Sequence, residues 1–136
     1  MSVFKKLILS AALVLGVTPA FGAFPSSPSE QLRVFATCAG RLSALEEHQR
    51  LFDGPASEKT AAQKRLFDDV ISALIDDAVA YGMPRPQALN WQVQAKMAHA
   101  MLRQQVTFGT SPTRAEAAER VLRVEIEACN GLLLGA

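Results

Sequence analysis

The residue types in this chain that could do chemistry are few, and most are in pairs. Met97-Ala98-His99-Ala100-Met101 has the Met-x-His-x-Met form that captures soft metals such as Cu(I). On a helix, however, His99 lies about 200° from Met97, whereas the two methionines fall within about 40° of each other. Two thioethers without the imidazole are a thin ligand set. Met97 and Met101 are therefore only weak metal candidates; the expectation is core methionines, a solvent-facing His99 and no cofactor.

The other histidine, His48, belongs to a different segment, and neither histidine has Glu three residues before it, as a di-iron bundle requires. Cys-x-x-Cys-His, Gly-x-Ser-x-Gly, His-Glu-x-x-His and phosphate-cradling glycine loops are all missing from the sequence. Asp68, Asp69, Asp76 and Asp77 cluster in sequence, but helical spacing spreads them and Asp-x-Asp-x-Asp-Gly does not occur. A solvated acidic face accounts for them. No catalytic constellation is legible, and the expectation is a protein that is not an enzyme.

The remaining reactive pair is Cys38 and Cys129. Their meaning depends on compartment, which the N-terminus addresses. Lys5 and Lys6 form a basic start, Leu7 to Val17 an apolar core too short to span a bilayer, and Ala20-Phe21-Gly22 a small-residue cleavage site. Residues 1–22 read as a signal peptide cleaved after Gly22. The mature chain is then expected in the periplasm or secreted, without stable membrane insertion. There, two cysteines outside any metal or redox motif point to a Cys38–Cys129 disulfide.

The whole chain carries 14 basic and 13 acidic residues. Losing Lys5 and Lys6 leaves 12 basic against 13 acidic, net −1. A near-neutral chain without basic clustering argues against nucleic acid and anionic membrane surfaces. The roughly 114 residues left suffice for one domain with one modest core.

Four helical segments must position these groups. After a short tether at residues 23–27, Ser27-Pro28-Ser29-Glu30 forms a capping box for a helix over 28–52, with Cys38 mid-stripe among Leu32, Phe35, Ala39, Leu42 and Leu45. Asp53-Gly54-Pro55 stops it. A second helix is expected over 57–81, ended by Gly82. A third, over 86–108, has an apolar arc holding Trp91, Met97, Met101, Leu102 and Phe108. A fourth covers 112–130, with Leu122, Ile126 and Cys129 on one side and Asn130-Gly131 as its end. The sequence predicts an all-α, up-down-up-down antiparallel four-helix bundle over 28–136, its first and last helices joined by the disulfide.

Two features bear on function. Asp77, Gln94 and Glu125 plot inside or at the edge of the apolar arcs, towards one end of the bundle, and form a possible ligand-binding cluster. Glu46, Gln49 and Gln105 lean inward similarly at the other end. The segment 131–136 carries Leu132, Leu133 and Leu134, too apolar for a free tail: it packs on its own domain or docks on a partner. The expected function is a non-enzymatic interaction or accessory protein of the bacterial cell envelope, partnered by another envelope protein; the alternative is a small-ligand or metal-binding bundle. Oligomeric state is not legible.

Overall fold

The computed structural model describes residues 24–134; the expected signal peptide lies outside the described residues. The chain forms four helices, α1 (Pro28–Phe52), α2 (Gly54–Ala80), α3 (Gln87–Phe108) and α4 (Pro112–Leu134), with no strand among the described residues. This is the all-α bundle expected from capping and periodicity.

The helix boundaries follow from local chemistry. At the start of α1 the Glu30 amide donates to the Ser27 hydroxyl at 3.3 Å, and that hydroxyl donates to the Glu30 carboxylate at 2.9 Å. Glu30 thus closes the cap through the serine side chain rather than through the Ser27 amide. Asp53 is the single non-helical residue between α1 and α2, and its side chain accepts from the Ala56 amide at 3.1 Å, capping α2. Because a proline fits the first turn, Gly54-Pro55 opens α2 directly and the helix starts three residues earlier than expected. Gly82, at φ +96, ends α2 in a Schellman closure: its amide donates to Val79 at 2.9 Å and that of Met83 to Ala78 at 3.0 Å. Met83 is buried beside the turn.

Cross-helix pairs give the directions. Gln49 with Thr60 and Phe35 with Phe67 run α1 antiparallel to α2. Glu47 with Lys96, and Gly40 with Gln92, run α1 parallel to α3. Cys38 with Cys129 and Arg41 with Glu125 run α1 antiparallel to α4. The up-down-up-down order therefore holds.

The arrangement is centred on α1, which packs extensively on α2 and α3 and also touches α4. Its inward residues are mostly small, including Ala36, Cys38, Ala39, Gly40 and Ala44, so neighbouring backbones come close. A Cβ on Gly40 would fall on the carbonyl oxygen of Gln92 and lie 3.0 Å from the Lys96 amide nitrogen. The core proper is Leu32, Leu42, Phe67, Ile71 and the disulfide, with Leu132 and Leu133 packed against it.

The disulfide is present, with the two Cα atoms 5.5 Å apart, and it links residues 91 apart in sequence. Gly131 does not end α4, which continues to Leu134. That extension places Cys129 more than a turn inside its helix, and so brings it level with Cys38.

The face of α3 departs from expectation. His99 is fully buried at 1% exposure, whereas Met97 and Met101 are 57% and 66% exposed. Leu89, Val93 and Phe108 are exposed as well. Helical periodicity alone directs this apolar arc inward. Instead α3 meets α1 along its Ala88, Gln92 and Lys96 side, where Gly40 permits close approach, and the bulkier apolar row faces out.

Candidate functional site

Buried polar groups are stable only when paired, and α3 buries its histidine because Glu125 of α4 and Arg103 of its own helix supply partners. His99 Nδ1 lies 2.9 Å from Glu125 Oε2 on α4, and Glu125 Oε1 accepts from Arg41 Nη2 on α1 at 2.9 Å. Arg103 Nη2, one turn further along α3, lies 3.1 Å from His99 Nε2. A guanidinium can only donate, so Nε2 is the acceptor and the proton of neutral His99 sits on Nδ1, directed at Glu125. Burial pushes the imidazole below its ordinary range. The bond to Glu125 opposes that shift, and the Arg103 and Arg41 charges add to it. Burial also lowers Arg103, whose buried Nε has no partner among the described residues, and it lowers His48, with a further push from the Arg103 charge.

The His99–Glu125 pair has the form of an oriented base. Its outer nitrogen, however, is engaged by Arg103, and both cysteines are bonded to each other. Its evident work is to tie α1, α3 and α4 at one height. His99 cannot join Met97 and Met101 around a metal, because both ring nitrogens are occupied and the thioethers face the other way. No group of three or more His, Cys, Asp or Glu able to hold a metal stands together among the described residues.

Next to that tie, towards the α1 N-terminus, a row of α1 lines solvent-open cavities. Arg33, Thr37 and Arg41 are spaced four apart, so they share one stripe of α1. Two cavities, of about 600 and 200 Å³, both contain these three residues and so form one solvent-open trough. Trp91, Gln94 and Ala98 of α3 make one wall; Glu125, Ala128 and Leu132 of α4 make the other. The Arg33 side chain forms no ion pair among the described residues.

The structure thus brings together two of the three polar residues singled out from the sequence. Gln94 and Glu125 line the same trough, while Asp77 is exposed on α2, away from them. Of the leucine tail, Leu132 and Leu133 pack on the core and Leu134 is exposed. At the other end, Glu46 is buried against Arg50, and Gln49 accepts from Thr60 Oγ1 at 2.6 Å. Arg33, Arg41 and Arg103 escaped the sequence reading because each plots as an ordinary solvent-facing arginine. The inward placement of Glu125 was the available signal, since an inward carboxylate demands a cation, and Arg41 supplies it.

No protein-family model, curated protein or solved structure matches the chain.

Proposed function

We propose that this chain is an exported, non-enzymatic accessory protein of the bacterial cell envelope that docks another envelope protein on the outward face of α3. The observation that carries this reading is the row Leu89, Val93, Met97, Met101 and Phe108, five large apolar side chains each between 49% and 76% exposed. The first four repeat every four residues, so they make a continuous ridge, and the row to Phe108 is about 28 Å long at 1.5 Å per residue. Scattered exposed leucines are ordinary; a contiguous apolar ridge marks an interaction surface. The fitting partner is an amphipathic helix laying its apolar row along this one, and two methionines suit such packing because their side chains adapt. The leader read in residues 1–22 supports export. So does the disulfide, since such bonds persist in oxidising compartments. No helix among the described residues is long and apolar enough to cross a membrane.

The test is a photo-crosslinking residue placed at Val93 on α3 and, separately, at Asp69 on the exposed face of α2, in cells expressing the full chain. The expected result is a discrete heavier adduct from position 93 alone, lost when Met97→Asp is added. Equal adducts from both positions, or none from 93, would contradict the reading. An adduct of two copies of this chain would replace the envelope partner by self-association.

A further inference from the structure

The trough on the opposite side of α3 from the apolar ridge has a chemistry of its own. We infer that it is a binding site for a small amphiphile with an anionic head and a single hydrocarbon chain, the head held between Arg33 and Arg41. The volume of the larger cavity, about 600 Å³, is within the range of small-molecule sites.

Its polar groups converge on one place. Arg41 gives one nitrogen, Nη2, to Glu125, and Glu125 is itself held by His99, so the guanidinium is fixed in position before any ligand arrives. Among the described residues the Arg41 Nε and Nη1 make no hydrogen bond, and the side chain is only part-buried, so they remain available as donors. Arg33, two turns away on the same stripe, is free of any carboxylate partner among the described residues. Thr37, the residue between them on that stripe, lines both cavities as well. Two guanidiniums flanking a hydroxyl suit a carboxylate or another compact oxyanion.

The other end of the larger cavity is apolar. Val34 and Cys38 of α1, Ala128 and Leu132 of α4 and Pro25 line it, which suits a hydrocarbon chain lying along the α1–α4 seam. Glu30 is the one carboxylate at that end, and its Oε2 is taken by the Ser27 hydroxyl. Glu125 at the head end is likewise engaged, by Arg41 and His99. A positive head would therefore meet two unopposed or half-opposed guanidiniums, and a neutral one would leave Arg33 unpaired.

Trp91, the single tryptophan of the chain, lines the head end, so its fluorescence reports occupancy directly. Purified full-length protein is titrated with dodecanoate, dodecanol and dodecyltrimethylammonium, each kept below its micelle threshold. The expected result is a saturable one-to-one change in Trp91 emission with dodecanoate, at an affinity at least about tenfold above the alcohol and the cation. Arg33→Gln is expected to weaken dodecanoate binding by roughly tenfold while leaving the melting temperature unchanged, since Arg33 makes no ion pair among the described residues. Ala128→Phe, filling the trough from an exposed position, is expected to abolish the change. Three results would overturn the site: a non-saturating response, equal binding of the three amphiphiles, or dodecanoate binding indifferent to both substitutions. A fold equally stable in both variants keeps those outcomes distinct from unfolding.

Discussion

His99 Nδ1 and Glu125 Oε2 are 2.9 Å apart, and through that bond α4 is tied to α3 beneath the cover of α1. Arg41 closes the tie from α1 at 2.9 Å. The pair has a pH dependence of definite sign. His99 is held neutral, its folded value depressed, so the stability it contributes is fully present above the ordinary histidine value of about 6.5. That stability is lost as pH falls through the lower, folded value. His48 is depressed too and acts in the same direction. Thermal melts from pH 7.5 downward are expected to steepen below about pH 6.5. His99→Asn can still offer a donor to Glu125 but does not titrate, so it is expected to melt lower at pH 7.5 and to show a shallower slope. An unchanged slope in His99→Asn, with His48→Gln flattening it instead, would assign the effect to the other histidine.

The disulfide closes a 91-residue separation between α1 and α4. In the chain-entropy model a loop of that size is worth about 4.6 kcal/mol. The Cys38→Ser/Cys129→Ser protein is expected to lose that much in urea unfolding, with the midpoint falling and helical circular dichroism retained. A loss under about 1 kcal/mol would mean that the α1–α4 contact holds equally well without the bond.

Gly40 is where α1 and α3 touch backbone to backbone. Alanine would gain about 1 kcal/mol in helix propensity, but its Cβ would collide with the Gln92 carbonyl, which no rotamer change can move. With overpacking costing about 1–3 kcal/mol, Gly40→Ala is expected to be destabilising by up to roughly 2 kcal/mol overall. A gain in stability would show that the two helices do not approach at this point.

Truncation after Asn130 removes Leu132 and Leu133, both partly buried against the core, and the last turn of α4. The expected cost is roughly 2–4 kcal/mol, whereas Leu134→Ala, at a side chain 89% exposed, is expected to change nothing measurable. Equal melting of the truncated and full-length chains would return the tail to the role of a docking segment.

The parts legible in the sequence were those specified locally. Ser27, Asp53, Gly82 and Gly109 mark helix ends by chemistry that acts within one turn, so the four helices and their order could be read directly. Cys38 and Cys129 were legible because a pair of cysteines has one possible bond. The rotation of α3 was not, since it is fixed by pairings between helices. The burial of His99 becomes favourable only when Glu125, 26 residues on, and Arg103 are both in reach. An apolar arc that looks destined for the core stays outside when a neighbouring glycine draws the opposite side inward. Glu125 was recognisable as an inward carboxylate; its cation was not, because Arg41 sits on a row that reads as solvent-facing.

The outward face of α3 is the claim on which the rest depends, and limited oxidation by hydrogen peroxide tests it most directly. The chain contains three methionines in the described region, Met83, Met97 and Met101, with Met83 only 7% exposed. In the folded protein, peptide mass spectrometry is expected to show Met97 and Met101 converting to sulfoxide at nearly the rate of the unfolded chain, with Met83 protected. Protection of Met97 and Met101 to the level of Met83 would place them in the core, with His99 turned out, and would remove the docking ridge.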